Sequence, residues 1–198
     1  MVKRFCGVEV AFQYIYFALL TVVLIIDKTG GIFCCFLASF FHEVGHFIAI
    51  ILLKQKVSRV EFSLFDVKIC SSYKVSFSKE LIIVLSGVTF NFILFIFFIR
   101  IIPMFALANL FIGIFNALPV STLDGGQAIN ILLSRYFNQK VSDLVLNIST
   151  IVVSIPIFTM GIIILLNTGY NFSFLLLGIY LFVTPIYNRG VFSRGNYD

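Results

Sequence analysis

Two histidines occur in this chain, and they stand four residues apart around a glutamate, His42-Glu43-Val44-Gly45-His46. In a helix this spacing stacks both imidazoles on one face, separated by about 6 Å of rise. Two ring nitrogens can then reach one Zn²⁺ at about 2.0–2.1 Å. Glu43 is offset around the helix, so it can approach a metal-held water without taking a ligand position, which suits a general base. Small Gly45 between the histidines lets another helix or a substrate backbone come close. The chemistry open to this set is metal-assisted hydrolysis.

A catalytic zinc takes three protein ligands and keeps one position open for water. Of the nine acidic residues, Glu9, Asp27, Glu80 and Asp143 fall at the ends of apolar segments. Glu61 and Asp66 lie in a polar connection, and Asp198 is the last residue. Only Glu43 and Asp124 lie well inside apolar segments, where a charge costs about 2.5–3.5 kcal/mol even on the lenient insertion scale. Elimination therefore makes Asp124 the third ligand. Its depth fits: His46 lies about 12 Å of helix before Lys54, and Asp124 about 16 Å before Arg135. The chain around Asp124 also interrupts a helix, with Pro119 on one side and Gly125-Gly126 on the other. Pro removes a backbone donor, and paired glycines permit unusual dihedrals. Irregular backbone at membrane depth is tolerated only around a buried or water-filled cavity, where a hydrolytic site must sit.

The elements that position these groups are membrane helices. Sixty per cent of the residues are apolar and 12% charged, with 25 Phe and no Trp. A soluble domain carries about twice that charge fraction. An α-helical polytopic membrane protein is expected, a single domain over residues 1–198 with its core at 31–135. Six spans are expected at Val8–Ile26, Gly31–Leu53, Leu81–Ile102, Met104–Leu133, Leu144–Leu166 and Phe172–Tyr187. The first resembles a signal peptide but lacks a small-x-small cleavage site, and reads as a retained span. Placing both termini in the cytoplasm puts twelve of the fourteen basic residues on that side, leaving Lys28 and Arg100 opposite. The net charge of +5 thus reports orientation and does not mark a nucleic-acid partner. Cys6, Cys34, Cys35 and Cys70 show no metal or disulfide spacing, and the adjacent pair reads as small buried hydrophobes.

The connection from Val57 to Lys79 is different. Apolar residues alternate at Val60, Phe62, Leu64, then Val67, Ile69, then Tyr73, Val75, Phe77. Period-two spacing predicts a small membrane-associated β-sheet or hairpin between spans 2 and 3. One edge of it is expected to pair with an unwound substrate segment, as in β-strand addition.

With these residues in place, the chain resembles the site-2 protease family of intramembrane zinc metalloproteases, marked by H-E-x-x-H and a distant L-D-G. The second motif falls at Leu123-Asp124-Gly125, within Asn116-x-x-Pro119-x-x-Thr122-Leu123-Asp124-Gly125-Gly126. A third, usually S-G-P-x-x-N, appears as Ser86-Gly87-Val88-Thr89-Phe90-Asn91. Val88 and Thr122 stand where the family often has proline, and every proposed ligand is retained. The span count resembles the six-span branch that includes stage IV sporulation protein FB, without its frequent CBS domain and without a PDZ domain. The resemblance implies zinc held by His42, His46 and Asp124, with Glu43 as catalytic base and Asn116 and Asn91 contacting substrate or the oxyanion. It implies peptide-bond hydrolysis in membrane-spanning or membrane-associated proteins, such as a pro-sigma or anti-sigma factor, in a bacterial cell membrane.

Plainer readings stand beside this one. A haem pair would place its axial ligands on opposite sides, not on one helix face. A proton or metal-ion transporter uses mid-membrane His, Glu and Asp but has no need of Glu directly after the first His. An inactive zinc-binding relative would serve as a membrane regulator. Asn91 and Asn116 can equally make interhelical hydrogen bonds, worth roughly 0.6 kcal/mol on average.

Overall fold

The computed structural model describes residues 2–5, 8–12, 29–55, 57–62, 67–71, 76–169, 172 and 175–181. Its elements in chain order are strands β1 (Val2–Phe5) and β2 (Val8–Phe12), helix α1 (Gly31–Leu52), and strands β3 (Val57–Phe62) and β4 (Val67–Ser71). Helices α2 (Phe77–Phe98), α3 (Pro103–Asn116), α4 (Asp124–Tyr136) and α5 (Gln139–Thr168) follow. Residues 175–181 are also helical. The chain divides into two compact units, Met1–Phe115 and Asn116–Asp198.

Three of the described helices, α1, α2 and α5, are long and apolar enough to cross a membrane. They match the second, third and fifth expected spans, with α2 starting four residues early at Phe77 and α5 running beyond the expected span at both ends. The chain turns at Ser76, which stands extended at the N-cap, and Glu80 in the first turn of α2 favours the positive end of the helix dipole. Residues Phe77–Lys79, expected in the β segment, are therefore helical. The expected fourth span, Met104–Leu133, is two helices, α3 and α4, separated by residues 117–123. Exposed Ile96, Phe97 and Leu166 on α2 and α5 show the surface that lipid would cover.

The expected first span, Val8–Ile26, requires correction at its start. Residues 8–12 are strand β2, and the remainder of that span lies outside the described residues, as does most of the sixth. Alternating Val8, Val10 and Phe12 with Glu9 between them fits a strand, while the apolar run that suggested a helix begins in earnest only later. β2 pairs antiparallel with β1 and parallel with β3, in register Glu9↔Arg59 through Phe12↔Phe62. β3 pairs antiparallel with β4, Val60 opposite Ile69. The sheet order is β1-β2-β3-β4, so β3 is interior and β4 is an edge.

Within the first unit, α1, α2 and α3 share a core of Ala38, Phe105 and Ala108, flanked by Cys34, Leu37, Phe41, Leu94, Phe98 and Ile112. Phe105 stacks edge-on against Phe41 at 5.9 Å and Phe98 at 5.4 Å between ring centroids. This aromatic wedge sets α3 against the other two helices. In the second unit, the helix at 175–181 packs on α5 through Gly178, where an added Cβ would lie 2.8 Å from Phe158 Cα.

Candidate metal centre

The His pair is held by a close crossing of α1 and α2. A Cβ on Gly45 would lie 2.7 Å from Phe90 Cβ, 2.9 Å from the Ser86 carbonyl and 3.1 Å from Gly87 Cα. The neighbour expected at Gly45 is thus helix α2, and its own small residue there is Gly87. Two glycines facing each other allow the backbones to approach as only small residues permit. One turn to either side of Gly87, on the same face of α2, stand Ile83 and Asn91. These two positions meet His46 and His42 respectively, because the helices run antiparallel.

His46 Nδ1 donates to the Ile83 carbonyl at 2.8 Å, and Ser86 Oγ lies 3.4 Å from the same nitrogen while donating to Ile83 O at 2.5 Å. His42 Nδ1 donates to Asn91 Oδ1 at 3.1 Å. A carbonyl can only accept, so the proton of His46 is assigned to Nδ1, leaving a lone pair on Nε2. The amide of Asn91 donates to the Ala38 and Asn109 carbonyls, both at 3.4 Å, so its oxygen faces His42 and assigns that proton to Nδ1 as well. The two Nε2 atoms stand 3.2 Å apart, with the rings edge-on at 4.8 Å. Both imidazoles are buried, at 3% and 8% exposure.

The two buried Nε2 atoms face one another at close range. That separation is one that a shared cation would set. Two nitrogens each about 2.05 Å from a tetrahedral ion are about 3.3 Å apart, close to the observed separation. Carbonyl or amide oxygens behind each ring are also the usual supports of metal-bound histidine. The donor set fits a metal ion.

Glu43 is half-buried on the same helix, one residue from His42. Asn91, expected from the resemblance to contact substrate or oxyanion, is fully buried, and its amide is engaged with His42, Ala38 and Asn109. No feature of the sequence alone distinguishes this engagement from a substrate contact, since it depends on which residue of α1 stands opposite.

Asp124 and Asn116 bracket an irregular connection in the second unit. Asn116 is the last residue of α3, and Asp124 the first of α4, where a carboxylate complements the helix dipole. Between them the chain makes tight turns, with Val120 N–H donating to Leu118 O at 2.8 Å and Leu123 N–H to Val120 O at 2.9 Å. Gly125 and Gly126 let these carbonyls lie on the helix start: a Cβ at Gly125 would lie 2.6 Å from Leu118 O, and one at Gly126 would strike Val120 O. α5 secures the connection from the other side. Ser149 Oγ donates to Pro119 O at 2.7 Å, and Thr150 Oγ1 accepts from the Ser121 N–H at 3.0 Å. These two hydroxyls are site-supporting residues that the sequence reading missed. Adjacent Ser and Thr inside an apolar helix were the available signal.

Residues 96–162 match the family model of peptidase family M50. That stretch contains the Asn116–Gly126 motif and begins after the two histidines. No match was found among curated proteins. Among solved structures, the site-2 protease from Methanocaldococcus jannaschii is 17% identical, covers 93% of each chain, and superposes with a TM-score of 0.65. The chain is thus similar in sequence to peptidase family M50 across residues 96–162, and in fold to a site-2 protease along nearly its whole length.

Proposed function

We propose that the chain is an intramembrane zinc endopeptidase that hydrolyses peptide bonds in membrane-spanning or membrane-associated proteins. The observation that carries this reading is the facing pair of buried Nε2 atoms, each ring tied through Nδ1. His42, His46 and Asp124 each offer one ligand atom and together could hold a metal ion. Two imidazoles and one carboxylate suit Zn²⁺ and leave a coordination position open. When bound, the ion supplies Lewis acidity toward water and the scissile carbonyl. Glu43 accepts the proton from the attacking water and delivers it to the leaving amine. Asn91 and Ile83 hold the two rings. Asn116, at the end of a helix beside irregular backbone, is the residue we assign to the substrate backbone or oxyanion.

A substrate helix must unwind before cleavage, because its carbonyls are already hydrogen-bonded. Among the described strands β4 is an edge, and we assign that edge to receive the unwound strand. The proposed setting is a bacterial cell membrane, with six spans and both termini cytoplasmic, as the distribution of basic residues supports. A pro-sigma or anti-sigma factor is the proposed class of substrate.

Metal analysis and a cleavage assay on membrane-protein substrates test the reading in one experiment. Wild type should hold one zinc and cleave. Glu43→Gln should hold zinc and lose about 10²–10⁴-fold in cleavage. Asp124→Ala should lose both. Wild type without metal overturns the mechanism. Metal-dependent ion flux without cleavage would point to a transporter.

A further inference from the structure

The structure assigns to Asn91 the positioning of His42, and we propose that its side-chain oxygen fixes the tautomer that makes His42 a metal ligand. The inference rests on the zinc-site reading above. Asn91 is completely buried, as is Asn109 beside it. Both of its amide hydrogens point at backbone carbonyls, Ala38 O on α1 and Asn109 O on α3. Neither carbonyl can donate, so the amide cannot be flipped without facing two acceptors with a third. The oxygen is thereby locked toward His42 Nδ1 at 3.1 Å. That lock forces Nδ1 to carry the ring proton and frees the Nε2 lone pair beside His46.

The geometry serves more than one purpose. Ala38 precedes His42 by one turn of α1, so a single amide spans the turn that carries the ligand. Its attachment to Asn109 fixes the same amide to α3, which ends at Asn116. Asn109 is itself held by its Nδ2 donating to Phe105 O at 2.8 Å. Asn91 therefore acts through His42 and does not touch the reacting atoms. A purely structural asparagine would need only its two donors, whereas the positioning role needs the acceptor.

Two substitutions separate these roles. Asn91→Leu keeps the branched shape and removes both functions, while Asn91→Asp keeps an acceptor facing His42 and removes the donors. Zn²⁺ affinity is read by competition with a chromophoric chelator. Co²⁺ replacing zinc reports ligand geometry through its visible absorption. Helix content by circular dichroism checks folding. Asn91→Leu should bind zinc about 10–100-fold more weakly, the range for loss of such a support, with an altered cobalt spectrum. Asn91→Asp should recover affinity and spectrum toward wild type. The proposal is overturned if Asn91→Leu matches wild type, or if the aspartate variant keeps wild-type helix content and still falls as far as the leucine one. Wild-type protein that takes up neither ion overturns the metal centre itself, and the role of Asn91 with it.

Discussion

A single methyl group added at Gly87 should disable the proposed metal centre without replacing any of its ligands. An ideal Cβ at this position meets His46 Cε1 at 2.7 Å and His42 Cε1 at 2.8 Å, and presses on His46 Nε2. Carbon atoms settle at about 3.5–4.0 Å, so each ring edge would have to retreat by about 0.7–1.3 Å. The rings are not free to do so, because Asn91 and Ile83 hold them from behind at 3.1 and 2.8 Å. Either the outer hydrogen bonds break or α2 moves away from α1, and the facing glycines show how little room the crossing has. Metal sites tolerate ligand displacements of about 0.2 Å. Losing the support of one ligand costs about 10–100-fold in affinity, and here two are disturbed at once. Gly87→Ala should therefore weaken zinc binding at least about 100-fold, equivalent to about 2.7 kcal/mol. Chelator competition on purified protein measures this, with circular dichroism to follow helix content. Gly31→Ala, at the start of α1, is the control, because its added Cβ meets nothing nearer than Thr29 Oγ1 at 3.3 Å. It should lose far less. A Gly87→Ala protein that binds zinc as tightly as wild type would refute the claim that these ring positions are the ligand geometry.

Two further outcomes test the parts around the site. Combining Ser149→Ala with Thr150→Val removes the contacts that hold Pro119 and Ser121, each worth about 1 kcal/mol; the melting temperature and cleavage should fall together, and cleavage at the wild-type rate would detach α5 from the site. Pro placed in turn at Lys68 and Ile69 of β4 removes, in one of the two variants, an outward-facing donor that a paired substrate strand would need; cleavage should drop in that variant while zinc content stays intact, and unchanged cleavage in both would sink strand addition.

What the sequence disclosed follows from how local each signal is. Helix α1 was legible because H-E-x-x-H and its apolar surroundings lie within one element. The break between α3 and α4 was legible because Pro119 and Gly125-Gly126 act on their own backbone. The start of α2 was misplaced because Val75 and Phe77 continue an alternation that Ser76 and Glu80 end. β2 was absorbed into a helix because Val8, Val10 and Phe12 adjoin a longer apolar run, and its parallel partner β3 is far away in sequence. No periodicity reports a parallel pairing across 50 residues.

The site shows the same limit at finer grain. Gly45 invited a close neighbour, and the neighbour is Gly87, one residue into the Ser86-Gly87 motif. Once that crossing is known, the rest of the support follows by helix arithmetic: four residues before Gly87 is the carbonyl that holds His46, and four after it is the amide that holds His42. The spacing of Gly87 and Asn91 therefore has a physical cause independent of substrate contact. Val88, standing where the resembled motif has proline, points away from this argument, since neither histidine bonds to it and the carbonyl that supports His46 belongs to Ile83. The contacts that this motif makes with the two histidines run through Gly87 and Asn91.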